Sequence, residues 1–342
     1  MGMDLDFPVI QVKWNTNAVL GRGAFGTVYA GTYGTRRIAL KTIQNVTPEE
    51  LMREMQLEVK IWLSLRHPNI ATFWGLALNE TGEPMLVIDR YEMNLLERLH
   101  RGPVPNKQQK TNWLLEIACA LDHLHSFYPA VLHNDLKPDN VLLDTAENAV
   151  LTDFGLSRAQ AMSSHGQKHQ GHFLYAPPES FQDGYTTTTQ YDIYSFGMVM
   201  YEIWTHQRPF LAYDLNNPQV IIDSVKSGER PQRVPGIPNE VWSLIRRCWS
   251  QNPNQRPKAE AICEEIRSWE EEGISPVPIP STPAHALSQT APIQERPEAI
   301  GPSAGISVAA LAQVLETVAV APLPTTSEDE RKKTNINTSN VL

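Results

Sequence analysis

The segment most indicative of the fold is His133–Asn140, which reads His-Asn-Asp-Leu-Lys-Pro-Asp-Asn. Within eight residues it offers Asp135 to accept a proton, Lys137 to neutralise a phosphate and Asn140 to hold a metal ion. Thirteen residues further on, Asp153 begins the tripeptide Asp-Phe-Gly. Magnesium prefers oxygen ligands and usually binds through one or two carboxylates together with substrate phosphates. Asn140 and Asp153 therefore predict a magnesium site if a strand pair brings them together.

This stretch closely resembles the catalytic loop and the metal motif of eukaryotic protein kinases. The resemblance extends from about Asn15 to Trp269, with further motifs in the same order. Lys137, two residues after Asp135, is typical of serine/threonine kinases, whereas residues 192–210 and 247–249 are most similar to the tyrosine-kinase-like branch. The resemblance implies an α+β, two-lobed protein kinase fold. We expect a small, mainly antiparallel β N-lobe with one helix and a larger helical C-lobe.

Composition divides the chain into three parts. Of its 342 residues, 41% are hydrophobic and 20% are charged, which is typical of a soluble globular protein. We predict an N-terminal extension over residues 1–14, a kinase domain over 15–272 and a disordered tail over 273–342 that is rich in Pro, Ser, Thr and Ala. Within the domain, the N-lobe is predicted at 15–90 and the C-lobe at 91–272. One apolar stripe around residues 311–318 leaves two alternatives open, a helix that docks a partner or a helix that does not form.

Charge and cysteine content exclude several classes of protein. The net charge of −9 argues against a nucleic-acid scaffold, which usually carries a basic face. A preference for basic substrates is one interpretation of this acidity, and ordinary solubility is the one we favour. Cys119, Cys248 and Cys263 are far apart, so we expect reduced thiols rather than a zinc site or a disulfide framework. No run resembles a signal segment or a membrane span, and we expect a cytoplasmic protein with no membrane partner.

The glycine-rich residues 21–28 read Gly-Arg-Gly-Ala-Phe-Gly-Thr-Val and lie in an alternating stretch, Val19–Tyr33, that predicts a β-hairpin. Glycines let a backbone approach phosphates closely. The triplet alone fits a plain hairpin turn equally well, and a dinucleotide-binding fold would place a helix directly after it. Residues 38–41 instead indicate a strand that ends at Lys41, where kinases carry the phosphate-binding lysine.

A helix is predicted over residues 47–65, because Thr47 is a suitable cap and acids follow it near the positive end. The resemblance places the ion-pair partner of Lys41 on this helix. Glu54 and Glu58 lie one turn apart on the same face. Their spacing from residues 66–70, which resemble the helix exit in kinases, selects Glu58, and we expect Glu54 to face solvent.

The resemblance implies a pocket for ATP, in which Ile88 lines the back and the backbone of Asp89 to Tyr91 bonds the adenine edge. It also implies Asp135, Lys137 and Asn140 as catalytic residues, with Asn140 and Asp153 holding Mg²⁺. The expected nucleotide-binding residues are Leu20, Gly21, Gly23, Gly26, Val28, Ala39, Lys41, Glu58, Ile88, Asp89, Tyr91 and Leu142.

Three supporting features are implied by the same resemblance. Asp192 is expected to hold the backbone of the catalytic loop, and Arg256 is expected to be the buried partner of Glu179. An apolar column is expected to link the two lobes. Its members are Trp62, Phe73, His133 and Phe154.

Two positions depart from the kinase pattern. Asn134 stands where many kinases have an arginine that pairs with a phosphate on the activation segment, and a neutral amide does this less well. We therefore hypothesise that phosphorylation at Ser163 or Ser164 is not the main on-switch. His172 stands where a threonine is usual, and it either replaces that hydroxyl through a ring nitrogen or lowers turnover.

The sequence predicts an ATP- and Mg²⁺-dependent kinase that transfers phosphate to Ser or Thr of substrate proteins in signalling. Lys41, Asp135, Asn140 and Asp153 are all present, which disfavours the main rival, a pseudokinase that binds ATP or acts as a scaffold. A dual-specificity kinase remains an alternative. A small-molecule kinase on a related fold is disfavoured by the Pro-Pro-Glu sequence that ends at Glu179.

Overall fold

The structure is a computed structural model that describes residues 10–23, 26–42, 62–63, 65–80, 84–153, 172–214 and 217–271. Its N-terminal part is a five-stranded antiparallel sheet with the strand order β1-β2-β3-β5-β4. The strands are β1 (Lys13–Gly23), β2 (Gly26–Tyr33), β3 (Arg36–Thr42), β4 (Phe73–Leu78) and β5 (Pro84–Asp89).

Alternation along β3 separates the two faces of this sheet. Consecutive side chains of a strand point to opposite faces. Ile38 and Leu40 are fully buried in a cluster on one face, whereas Ala39 belongs to the main core on the other. Lys41, two residues after Ala39, therefore shares the face of Ala39 and of its cross-strand partner Ile88. This face of the sheet borders the cleft between the N-lobe and the C-lobe.

The C-terminal part is mainly helical and contains one small antiparallel sheet with the order β6-β7-β8. The elements are β6 (Met93–Asn94), α1 (Leu95–Arg101), α2 (Lys107–His125), β7 (Val141–Leu143), β8 (Ala149–Leu151), α3 (Thr189–Thr205), α4 (Pro218–Ser227), α5 (Asn239–Cys248) and α6 (Ala259–Glu271). Helix α3 lies in the core, because its residues from Asp192 to Ile203 are all buried. Helix α2 packs against both α3 and α6.

Helix α2 begins at Lys107 with a polar first turn. Asn106 caps it, since its side-chain oxygen accepts a hydrogen bond from the N–H of Gln109. This is the usual role of Asn at the N-cap, where it satisfies an otherwise unpaired donor. Because the first turn has no apolar periodicity, the capping residue is the feature of the sequence that marks the start of the helix.

The predicted fold class is confirmed by the antiparallel sheet and the helical lobe. Strand β7, residues 141–143, follows directly after Asn140. Strand β1 begins at Lys13, and the N–H of Ile10 donates to the carbonyl of Leu76, so ordered pairing starts before residue 15. The predicted domain limits stay predictions, and the tail over 273–342 lies outside the described residues. Of the helices that are described, none has the length and apolar character needed to cross a bilayer.

Candidate active site

The loop that carries the predicted catalytic residues is anchored by Asp192 of helix α3, whose side chain is completely buried. Its Oδ1 accepts the N–H of Asn134 at 2.8 Å, and its Oδ2 accepts the N–H of His133 at 2.9 Å. His125 Nε2 lies 2.9 Å from the same Oδ2. Burial alone would raise the pKa of Asp192, but the hydrogen bond and charge of His125 hold it below its ordinary value. The predicted anchoring role of Asp192 is confirmed.

Asp135 is fixed by two neighbours from its own loop. Its carboxylate Oδ2 accepts from Lys137 Nζ at 3.0 Å and from Asn140 Nδ2 at 2.9 Å. Asn140 Nδ2 also donates to the main-chain oxygen of Asp135 at 2.8 Å. Because the amide nitrogen of Asn140 faces Asp135, its Oδ1 is turned away and is available as an oxygen ligand. The three predicted catalytic residues therefore form one constellation, and Asp135 is only 5% exposed.

Two turns of this site use left-handed backbone. Asn134 has φ 64° and Asp153 has φ 62°. Asn and Asp adopt this conformation more readily than other residues with a Cβ. The amide residue at position 134 therefore suits the sharp turn that presents two successive N–H groups to Asp192.

The second carboxylate, Asp153, lies beside the catalytic loop and reaches the N-lobe. The N–H of Thr152 donates to the main-chain oxygen of Asn140 at 3.0 Å, which places Asp153 one residue away from that contact. Asp153 Oδ2 lies 2.6 Å from Lys41 Nζ, which comes from strand β3. Strand β8 is also tied to the N-lobe side, because Leu151 exchanges hydrogen bonds with Asn69 and Ala71. Lys41, Asn140 and Asp153 thus converge in one cleft.

The glycines of β1 and β2 serve different purposes. Gly26 has φ 140°, and a Cβ there would lie 2.1 Å from the carbonyl oxygen of Thr42, so only glycine fits. A methyl group on Gly21 would meet no described atom within 4 Å. Gly23 pairs with Gly26 where the two strands approach their turn. Internal packing explains Gly26, whereas the open space at Gly21 suits the close approach of a ligand.

The strand end at Asp89 is held by main-chain bonds on both sides. The N–H of Asp89 donates to Thr72 and the N–H of Arg90 to Arg37, both at 3.2 Å. The carboxylate of Asp89 accepts from Trp74 Nε1 at 2.9 Å, so its side chain is directed away from the cleft. The Asp89 carboxylate is therefore engaged by Trp74, which is compatible with the prediction that main-chain groups of this stretch bind the ligand.

Several predicted residues lie outside the described part of the chain. These are Glu58, Phe154, Ser163 and Ser164, together with the side chain of His172. The described part of the apolar column contains Trp62 stacked on Phe73, with ring centroids 5.1 Å apart. The placement of Glu58 beside Lys41 remains a prediction.

The predicted pair of Glu179 and Arg256 is confirmed. Arg256 Nη1 and Nη2 lie 2.6 and 2.9 Å from the two carboxylate oxygens of Glu179. Arg256 is buried, and its Nη1 and Nε also donate to the carbonyls of Gln190 and Ser250. This pair fixes the chain after Pro178 against the start of α3.

One supporting residue, His125, was not assigned a role from the sequence. Its ring lies against the buried carboxylate of Asp192. It ends helix α2, where the helical spacing gives no sign that its ring meets Asp192, 67 residues away. Only the packing of α2 on α3 brings the two together.

The side chains present fit a magnesium ion. Within the described ranges, no group of three or more His, Cys, Asp and Glu residues is arranged to hold a metal ion by itself. An amide oxygen from Asn140 and a carboxylate from Asp153 are hard donors, and Mg²⁺ commonly takes its remaining ligands from phosphates and water. This donor set suits magnesium bound together with a phosphorylated ligand.

Comparisons with known proteins place the chain in a family. The protein tyrosine and serine/threonine kinase family matches residues 14–266. Over 266 residues the chain is 30% identical to mitogen-activated protein kinase kinase kinase 7 of Homo sapiens, a match that covers 76% of this chain and 41% of that protein. Two Dictyostelium discoideum proteins are also similar. Dual specificity protein kinase shkA is 30% identical over 75% of this chain and 50% of its own length, and probable serine/threonine-protein kinase drkB is 29% identical over 81% and 39%.

The chain spans about two fifths to half the length of these curated relatives. The name of drkB agrees with the predicted serine/threonine type, whereas shkA is named for dual specificity. The family match covers both lobes and every described residue of the cleft. The chain belongs to the protein tyrosine and serine/threonine kinase family.

Proposed function

We propose that this protein is a kinase that transfers the γ-phosphoryl group of ATP to serine or threonine hydroxyls of substrate proteins. One observation carries the proposal. Asp135, held by Lys137 and Asn140, lies in the same cleft as the ion pair of Lys41 with Asp153. The main-chain bond from Thr152 to Asn140 joins the two groups.

Phosphoryl transfer requires positioning and neutralisation of charge more than covalent help from the protein. The carboxylate of Asp135 accepts the proton of the acceptor hydroxyl and orients its oxygen towards phosphorus. Lys137, fixed against Asp135 at 3.0 Å, offsets negative charge on the phosphoryl group during transfer. Both side chains are held before substrate binds, so little reorganisation accompanies the reaction.

The cleft offers a complementary set of groups to a nucleotide. Lys41 and the amides at Gly21 and Gly23 face the phosphates, and Asn140 with Asp153 would hold Mg²⁺. When bound, Mg²⁺ neutralises phosphate charge. The adenine is placed between the apolar residues of the two lobes. These are Leu20, Val28, Ala39, Ile88 and Leu142.

The main-chain edge after Ile88 supplies the polar contacts to adenine. The N–H groups of Asp89 and Arg90 are already donated to Thr72 and Arg37. We therefore assign the carbonyl of Asp89 and the N–H of Tyr91 to the adenine edge.

The acceptor class rests on Lys137 and on the names of the relatives. A lysine two residues after the catalytic acid is typical of the serine/threonine type. The relative shkA is named a dual specificity kinase, which makes transfer to tyrosine the second candidate. A role in intracellular signalling, a cytoplasmic location and a partner that docks to the tail stay predictions.

The test is transfer of labelled γ-phosphate to a mixed protein substrate, followed by phosphoamino-acid analysis. Asp135→Asn should lower kcat by about 10²–10⁴-fold, the usual contribution of a general base. Asp139→Asn is the matched control, because this acid lies in the same loop but is exposed, and it should leave kcat unchanged. Label on serine and threonine supports the proposal. ATP binding without any transfer, or transfer unaffected by Asp135→Asn, would refute it in favour of a nucleotide-binding scaffold.

A further inference from the structure

Two cysteines that are remote in sequence lie on two helices of the C-lobe that pack against each other. Cys119 lies on α2 and is half-buried, and Cys263 lies on α6 and is 2% exposed. The two helices pack together, the side chains of Cys119 and Cys263 interact across this packing, and Arg267, four residues after Cys263, contacts the sulfur of Cys119. Both are free thiols. A bond between the two sulfurs would join α2 to α6.

A guanidinium completes this group. Arg267, one turn after Cys263 on α6, donates from Nη2 to Cys119 Sγ at 3.3 Å. A cation beside a partly accessible sulfur favours the thiolate, which is the nucleophilic form of cysteine. The charge of Asp122 on α2 acts in the opposite direction, and burial and the charge of Glu260 on α6 in turn raise the pKa of Asp122.

The balance of these groups favours the reactive form of Cys119. The hydrogen bond from Cys263 and the charge of Arg267 outweigh burial and Asp122, and they lower the pKa of Cys119 to about 7. The same hydrogen bond, together with burial, raises the pKa of Cys263. Burial also raises the pKa of Cys248, the third cysteine. Cys119 is thus suited to react first and Cys263 to follow.

We propose that Cys119 and Cys263 are a peroxide-sensitive modification site, which hydrogen peroxide converts into a reversible disulfide between α2 and α6. The Cys119 thiolate attacks one peroxide oxygen, the O–O bond breaks, and the released hydroxide takes up a proton to leave water and a sulfenic acid. The sulfur of Cys263 then attacks the sulfenic sulfur. This step forms the S–S bond, breaks the S–OH bond, and releases a second water with the thiol proton of Cys263.

The disulfide has a structural consequence that does not depend on kinase activity. It would close a loop that contains α3, α4 and α5, the centre of the C-lobe. Cross-linking residues so far apart in sequence restricts the unfolded chain and thereby favours the folded one. The oxidised protein should therefore unfold at a higher temperature than the reduced protein, and dithiothreitol should reverse this shift.

The experiment treats the full chain with hydrogen peroxide, blocks remaining thiols, and maps non-reduced peptides by mass spectrometry. We expect a cross-linked peptide pair that contains Cys119 and Cys263, lighter by two hydrogens than the separate peptides, while Cys248 is recovered as a blocked thiol. Recovery of Cys119 and Cys263 as free thiols would overturn the proposal. So would a Cys119 sulfenic or sulfinic acid without the bond, or a bond between two chains.

Variants test the order of the steps. In Cys263→Ser the sulfenic acid has no partner, so dimedone should label Cys119. Arg267→Ala should slow disulfide formation severalfold, and the matched variant Arg267→Lys should keep most of the rate because it retains the charge. Equal rates in wild type and Arg267→Ala would show that the geometry around Cys119 does not control its oxidation.

Discussion

The two sides of the cleft are built differently. On the C-lobe side, the catalytic loop of residues 133–140 is largely buried and bonded to Asp192 and to itself. On the N-lobe side, the glycine ribbon formed by β1 and β2 contains many exposed residues, and Leu20 is 42% exposed. The residues assigned to the chemistry are therefore held by internal hydrogen bonds, whereas the surface assigned to the nucleotide phosphates is more exposed.

This contrast follows from what each side must do. A general base has to be held within a fraction of an ångström of its productive position, and a displacement of 1 Å can cost about 10²-fold in rate. A surface that admits and releases a nucleotide has few buried contacts, and such segments open at low free-energy cost. Substitutions on the loop side should therefore change kcat, and substitutions on the ribbon side should change nucleotide affinity.

Among the substitutions that test this contrast, removal of the anchor should have the largest effect on kcat. In wild type, two carboxylate oxygens of Asp192 accept hydrogen bonds from the loop, whereas Asp192→Asn keeps one side-chain oxygen. The N–H of His133 or of Asn134 therefore loses its partner. We expect a loss of roughly 1–3 kcal/mol in the free energy of unfolding and a fall in kcat of about 10²-fold. Denaturant unfolding and steady-state kinetics measure the two quantities. The exposed Asp183→Asn serves as the control, and an unchanged kcat in Asp192→Asn would show that the anchor does not position the loop.

Two glycines of the ribbon, Gly26 and Gly21, are expected to have different roles, in packing and in ligand binding. Gly26→Ala should destabilise the fold by roughly 1–3 kcal/mol, because its backbone is strained for any residue with a Cβ and the methyl meets Thr42. Gly21→Ala should leave the melting temperature unchanged and raise the KM for ATP severalfold, since its methyl enters the space assigned to phosphate. Thermal unfolding measures the effect on stability, and the rate as a function of ATP concentration measures the effect on KM. The reverse pattern would contradict the division of roles.

A pH-dependent effect on stability is expected from a buried acid of helix α2. Glu116 on α2 accepts the N–H of Ala149 at 2.6 Å, and burial raises its pKa from 4.5 to about 8. The folded state therefore holds a proton that the unfolded state releases, and stability is lost as pH rises from about 4.5 to about 8. Glu116→Gln should remove this loss. Its advantage over wild type should grow with pH by at most about 1.4 kcal/mol per unit.

Unfolding by denaturant at several pH values measures this slope. Glu264→Gln is the control, because Glu264 is an exposed acid on α6. A difference between Glu116→Gln and wild type that does not vary with pH would show that Glu116 carries no extra proton in the folded state.

Most of the C-lobe side of the cleft could be predicted from the sequence because the residues of the catalytic loop are contiguous. Asp135, Lys137 and Asn140 lie within six residues, and their mutual bonds follow from that spacing. Asp192 was found because it lies in a second motif of the same family pattern.

Groups that owe their position to packing between helices could not be predicted. His125 meets Asp192, and Cys119 meets Cys263, only because α2 packs against α3 and α6. No local pattern marks such encounters. Likewise, the role of Gly26 depends on the position of Thr42 in the next strand, whereas a glycine triplet alone does not distinguish a packing role from a ligand role.

Whether groups from both lobes act as one site can be measured by a double-mutant cycle on Lys41 and Asp153. The measurement is kcat/KM for ATP in wild type, Lys41→Met, Asp153→Asn and the double variant. Because the two side chains lie 2.6 Å apart, we expect the loss in the double variant to differ from the sum of the single losses by about 0.5–3 kcal/mol, as for residues in contact. Losses that simply add would mean that the two residues act independently and would contradict a single site.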